Sequence, residues 1–411
     1  KITDDADEIE QITSDMITEN NNEHHVIDAA GCIVAPGLVD VHVHFRDPGF
    51  THKEDIETGA KAALRGGFTS VVLMANTKPA VDSIDTLAYV MDKGERTDAK
   101  IYTCATVTKG MAGKELTDMD ALVSGGAVGF TDDGIPIMDA GLLERAMTKA
   151  ASLNVPASLH EEDPALITDN GINRGKASEH YGIGGSPREA EISMIRRDLE
   201  IALRTGAALN IQHISTKEGV ELVRQAKRKA AAQGTGGIHA EATPHHFSLT
   251  QDAVIRHGAL AKMNPPLREE SDRQAIIEGL RDGTIDIIAT DHAPHSKEEK
   301  ERPITKAPSG IIGLETALAL GITNLVGERQ LSMAQLIAAM AANPAKMYGL
   351  PAGTLAEGAA ADIVIFDPDA SQTVRDFASK SSNTPFAGQT LRGVVKYTIV
   401  DGRIAYRHEA C

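Results

Sequence analysis

The sequence predicts an α/β fold: a closed (β/α)8 barrel of the TIM type, with a small β-domain built from both termini. Three observations carry this. Short β-rich runs alternate with longer helical patterns from about residue 38 to about residue 340, the runs number eight, and both chain ends instead carry short alternating strands with tight-turn signals. The eight runs are Leu38–Phe45, Thr69–Ala75, Lys100–Val107, Ala127–Asp132, Pro156–His160, Leu209–Ile214, Gly237–Ala242 and Ile285–Thr290. Between them, Ser186-Pro187-Arg188-Glu189 reads as a capping box with Pro at the first helical position, closed by Gly206, and Ser215-Thr216-Lys217-Glu218 repeats the pattern. Residues 1–35 and 350–411 are expected to form the small β-domain around a barrel spanning 36–349, with Asp362–Phe366 and Val394–Val400 as strands and Asp401-Gly402 as a turn. Met91, Met111, Met138 and Met340 read as core filler.

The 411 residues include 41 Lys+Arg against 58 Asp+Glu, a net charge of −17. Nucleic acid and anionic membranes are therefore repelled on average, and an anionic substrate needs a local cationic clamp. Trp is absent and aromatics reach 3%, which leaves no base-stacking platform. No apolar run approaches the roughly 18 residues of a membrane span. Lys1 to Asn22 is polar and acidic, and the cytoplasm is the expected address. Cys32, Cys104 and Cys411 lie far apart with no Cys-x-x-Cys pair and are expected to be reduced thiols.

The chemistry emerges when polar residues are set against the strand ends. His42 and His44 are two apart on one strand, so their imidazoles share a face, a good start for a transition-metal site. Asp133, His160, His213 and Asp291 fall at the carboxyl ends of the fourth, fifth, sixth and eighth runs, the face where such barrels keep their active sites. Each has a bland reading as a turn residue, a cap or a satisfied core histidine. Together, four His and two Asp buried on one rim would be costly without a cation, and they suffice for two divalent ions sharing a carboxylate. Spacing leaves the choice between Asp132 and Asp133 open.

The segments Asp40-Val41-His42-Val43-His44-Phe45-Arg46-Asp47-Pro48-Gly49, Phe130-Thr131-Asp132-Asp133-Gly134, Thr243-Pro244-His245-His246-Phe247, Asn264-Pro265-Pro266-Leu267-Arg268 and Ala289-Thr290-Asp291-His292-Ala293-Pro294-His295 resemble those of the dihydroorotases, closest to the bacterial class I form within the amidohydrolase superfamily. The resemblance covers essentially the whole chain. It implies reversible cyclisation of N-carbamoyl-L-aspartate to dihydroorotate in pyrimidine biosynthesis, with two zinc ions per subunit. By the same resemblance His42, His44, Asp133 and Asp291 hold one ion, and Asp133, His160 and His213 the other. Asp133, preferred over Asp132 on the family pattern, then stands where many amidohydrolases carry a carboxylated lysine. Asp291 is implied as the general base and acid. His44, Phe45, Arg46, Asn76, Asn264, His295, Ser309 and Gly310 are implied to contact substrate, with Arg46, Asn76 and His295 clamping its free carboxylate. The chain departs from the bacterial pattern Ala-Pro-Phe-Gly at Ala307-Pro308-Ser309-Gly310, where a thinner apolar cover is expected. His245 and His246 are expected to pack behind the metal histidines. A homodimer and an association with aspartate carbamoyltransferase are expected, with no nucleic-acid or membrane partner. The competing readings are a hydantoinase, dihydropyrimidinase or allantoinase, which would lack a ring carboxylate to clamp, and a non-catalytic dihydroorotase-like scaffold.

Overall fold

The strand β1 (Ile33–Pro36) leads into a wall of parallel strands: β2 (Leu38–Val43), β3 (Phe68–Leu73), β4 (Lys100–Thr103), β5 (Ala157–Leu159), β6 (Leu209–Ile211), β7 (Ile238–Ala242) and β8 (Ile287–Ile288). The computed structural model describes residue 9, residues 26–235 and residues 237–409, so Cys411 and most of the expected N-terminal part of the β-domain lie outside the described residues. The wall pairs as β2–β3–β4 and β5–β6–β7–β8. Phe130 joins the two sets by parallel bridges to Ala105 and Ala157. The circle closes where Val43 pairs with His292 and His44 N–H donates to His292 O at 2.8 Å. That closure places the ends of β2 and β8 side by side.

The fourth expected run, Ala127–Asp132, is only a bridge at Phe130, yet it bonds to both neighbours as a parallel strand does: Val128 N–H donates to Thr103 O at 3.1 Å, Thr131 N–H to Ala105 O at 2.9 Å and Phe130 N–H to Pro156 O at 3.0 Å. At its end the Asp132 carboxylate accepts from the N–H groups of Val107 at 2.8 Å and Thr108 at 3.2 Å.

The helix Arg188–Thr205 ends on Gly206 in the left-handed region (φ 70°), as its sequence signal implied, but its start differs. Pro187 precedes it without a side-chain cap, and Ser186 Oγ donates to Glu162 Oε1 at 3.0 Å. A buried carboxylate is a stronger acceptor than a helix terminus is a donor, so the hydroxyl turns inward. Thr216, not Ser215, caps Lys217–Gln233 by accepting from Gly219 N–H at 3.2 Å, a contact worth about 1 kcal/mol. Met111 and Met340 are buried and Met91 packs against the core, whereas Met138 is 46% exposed and is not core filler. It precedes a helix whose cap, Asp139, turns the chain outward.

Strands β9 (Ile363–Thr373), β10 (Thr390–Val400) and β11 (Arg403–Arg407) form an antiparallel sheet with β1 in the order β1-β9-β10-β11. Val34 faces Ile365, and Phe366 faces Val395. Asp401 and Gly402 both have positive φ (45° and 74°), which is the tight turn that matches strand twist between β10 and β11. The first expected run continues past Phe366 to Thr373, and the second starts earlier, at Thr390, and ends at Val400 as expected. Among the described residues no helix is long and apolar enough to cross a membrane.

Candidate metal centre

His42 lies in β2 and His44 one residue past its end, and the two-residue period brings both rings to one point; the polar residues opposite them come from the loops that follow neighbouring strands. His44 Nε2 lies 3.0 Å from Asp291 Oδ1 and 3.5 Å from Asp133 Oδ2. His42 Nε2 lies 3.5 Å from Asp133 Oδ1 and 3.6 Å from Asp291 Oδ1. His160 Nδ1 and His213 Nε2 are 3.0 Å apart. Two overlapping groups result, His42 with His44 and Asp291, and His42 with Asp133 and His213, the ligand atoms of each lying within 4.8 Å of one another. His160 attaches to the second through His213.

The donor set fits one or more divalent cations. His42 Nε2 is buried and has no hydrogen-bond partner, although an unsatisfied buried nitrogen is costly. Burial and the neighbouring His160 and His42 push the His213 imidazole well below its ordinary value, so it stays neutral, as a metal ligand must be. Burial opposes the charge on Asp133, yet His42, with His44 and His160, holds that carboxyl far below the usual carboxylate range. Arg46, His213 and Asp291 all sit at positive φ (60°, 30° and 48°), strained backbone that surrounding structure must enforce and that clusters at functional sites.

Three of the four rings have a polar partner behind them. His42 Nδ1 faces Glu241 Oε2 at 2.9 Å, and both side chains are fully buried. Glu241 also accepts from Asn210 Nδ2 and, at 3.5 Å, from His213 N–H. His44 Nδ1 faces Asn76 Oδ1 at 2.9 Å. Such partners fix which ring nitrogen carries the proton and leave Nε2 free to bind metal. Glu162 Oε2 lies 3.3 Å from His160 Nε2. Sequence reasoning passed over Glu241 and Glu162. The signal for Glu241 was an acid inside the strand Ile-His-Ala-Glu-Ala, at a position too apolar to be a solvated face.

The two adjacent aspartates part company. Asp132 points to Val107 and Thr108, while Asp133 alone enters the cage. His246 bonds Thr243 Oγ1 at 2.8 Å and Pro265 O at 3.1 Å, and burial pushes it down to about 4. His245 is buried beside it.

The expected substrate contacts are placed unevenly. Arg46 is partly buried, its Nε donates to Pro294 O at 3.3 Å, and among the described residues no ion pair engages its guanidinium. His295 is buried, with Nε2 donating to Ser309 O at 2.8 Å. Asn264 Nδ2 approaches His160 Nε2 at 3.3 Å. Asn76 is committed to His44 and, through Nδ2, to Asp133 Oδ2 at 2.9 Å, so it braces the cage as well as lining it. Phe45 turns its ring onto His292 and towards Gly59. The side chain of Ser309 lies against Gly171. Gly310 donates its N–H to Lys262 O at 2.8 Å, and its carbonyl accepts from Asn383 Nδ2 at 3.1 Å. The backbone of Gly310 is thus already paired within the protein.

The amidohydrolase family profile matches residues 33–405. The chain belongs to the amidohydrolase family. A dihydroorotase of Clostridioides difficile (strain 630) is 57% identical to this amidohydrolase over 388 residues, covering 94% of this chain and 91% of the relative. A dihydroorotase of Clostridium acetobutylicum is 51% identical over 404 residues, 98% of this chain and 94% of the relative. Among solved structures, an L-hydantoinase from Arthrobacter aurescens superposes with a TM-score of 0.81 at 28% identity, over 92% of this chain and 86% of that one. A D-hydantoinase from Thermus sp. gives 0.83 at 25% identity, over 99% and 91%. Similarity in sequence therefore points to dihydroorotases, and the amidohydrolase scaffold is shared with hydantoinases.

Proposed function

We propose that this amidohydrolase is a dihydroorotase that interconverts N-carbamoyl-L-aspartate and dihydroorotate. The observation that carries the reading is a partly buried guanidinium, Arg46, which among the described residues forms no ion pair and lies on the same rim as the histidine and aspartate cage. In a chain of net charge −17, such a cation has a use if the substrate carries a second anionic group outside the reacting amide.

Two zinc ions are the reading of the centre, one held by His42, His44, Asp133 and Asp291 and the other by Asp133, His160 and His213. When bound, such ions supply Lewis acidity, acidifying water and polarising the carbonyl under attack. In the hydrolytic direction the ring amide C–N bond breaks and a carboxylate forms. Asp291 Oδ takes a proton from the attacking water and delivers it to the departing nitrogen. In the reverse direction the same oxygen removes a proton from the ureido nitrogen as the C–N bond forms. Arg46 and His295 hold the carboxylate on the ring, and Asn264 is within reach of its amides. The reading extends to a homodimer able to associate with aspartate carbamoyltransferase.

A side-by-side assay of dihydroorotate and hydantoin tests the assignment. Turnover of dihydroorotate should dominate, and Arg46→Met should raise KM for dihydroorotate about 10–100-fold with a smaller change in kcat, because the clamped charge is present in ground and transition states alike. Better use of hydantoin by the parent chain would refute the assignment. Glu241→Gln keeps the shape but weakens the hold on His42 Nδ1. Metal affinity, measured by chelator competition, should drop about 10–100-fold.

A further inference from the structure

Two lysines that the chemistry above does not use are buried beside the clamp. Lys262 and Lys300 are only 5% and 6% exposed, and among the described residues neither forms an ion pair with a carboxylate. Lys300 Nζ donates instead to Pro308 O and Gly310 O, both at 2.9 Å. Lys262 Nζ donates to Ile304 O and Ala307 O, both at 2.8 Å, and its own carbonyl accepts the Gly310 N–H at 2.8 Å. An ammonium is ordinarily left in water, because dehydration and loss of rotamer freedom both oppose burial. Here two of them grip the carbonyls of one strap, residues 304–310.

The carbonyls held by Lys300 flank Ser309 on either side. Ser309 O in turn accepts the Nε2–H of His295 at 2.8 Å, which fixes the ring nitrogen that carries the proton. Asn383 ties the same pieces together: its Oδ1 accepts His295 N–H and its Nδ2 donates to Gly310 O, each at 3.1 Å. Burial and the neighbouring Lys262 push the Lys300 amine down to about 7.

We propose that Lys300, assisted by Lys262, is a positioning residue for substrate recognition: it anchors the 304–310 strap so that Ser309 O keeps the proton on His295 Nε2, the N–H that passes from Ser309 O to the substrate carboxylate when substrate binds. The inference rests on the reading of Arg46 and His295 as that clamp. The test uses the metal-loaded enzyme. Lys300→Met should raise KM for dihydroorotate about tenfold while kcat stays within about threefold. Trypsin should cut faster after the exposed Lys306 in the strap. Lys300→Arg should recover most of the lost KM, and Lys262→Met should raise KM in the same direction, which carries the test should Lys300→Met fail to fold. Unchanged KM in the lysine variants, with Arg46→Met raising it, overturns this inference and leaves the clamp standing. Unchanged KM in Arg46→Met overturns the clamp itself, and a loss confined to kcat in Lys300→Met overturns the positioning role.

Discussion

Asp291→Asn should lower kcat by about 10²–10⁴, which is about 3–5 kcal/mol of barrier. The amide keeps the size of the carboxylate and an oxygen that can face His44, 3.0 Å away in the parent, so much of the cage should survive. What it loses is the ability to take a proton and give it back. The enzyme leaves the equilibrium between the two compounds unchanged, so kcat/KM for ring opening and for ring closure must fall by the same factor. Steady-state assays in both directions, with metal content measured on the same preparation, check this. Near-normal turnover in a metal-replete variant would remove Asp291 from proton transfer.

Substituting the two adjacent aspartates should give opposite results. Asp133 reaches both His42 and His44 at 3.5 Å and groups with His213, so Asp133→Ala removes the one carboxylate placed to touch both halves of the cage. Bound metal per subunit should fall below that of the parent, and activity should drop by at least about 100-fold. Asp132 accepts instead from the backbone of Val107 and Thr108 and from the Thr108 hydroxyl. Asp132→Ala should leave metal content near normal and cost about 1–3 kcal/mol of stability by orphaning buried donors. Elemental analysis of dialysed protein together with thermal melts separates the pair. Metal loss in Asp132→Ala with retention in Asp133→Ala would reverse the assignment.

The eight-unit alternation, the paired imidazoles of β2 and the turn at Asp401-Gly402 were all legible in the chain, since each is written within a few consecutive residues. A two-residue period puts His42 and His44 on one face wherever that strand goes. Gly206 was equally readable as a helix end. Local signals failed where a distant group competed for the same atoms. Ser186 has the spacing of a cap, yet its hydroxyl serves Glu162, brought near by packing. The fourth run bonds as a strand as far as Thr131, and there Asp132 turns its carboxylate to the backbone of Val107 and Thr108. Phe45 stands between His44 and Arg46 in sequence, and only the packing of the fold sets its ring against His292.

By itself, then, the sequence determined which residue types stand at the ends of which strands, because periodicity and turn chemistry act over a few bonds. Only the tertiary structure decided between Asp132 and Asp133, set Glu241 behind His42 across 199 residues, and buried Lys262 and Lys300 under the strap that carries Ser309. Those choices depend on where the barrel closes, at Val43 and His292. Closure buries remote polar atoms together, where each must find a partner, and no local pattern specifies which partner that will be.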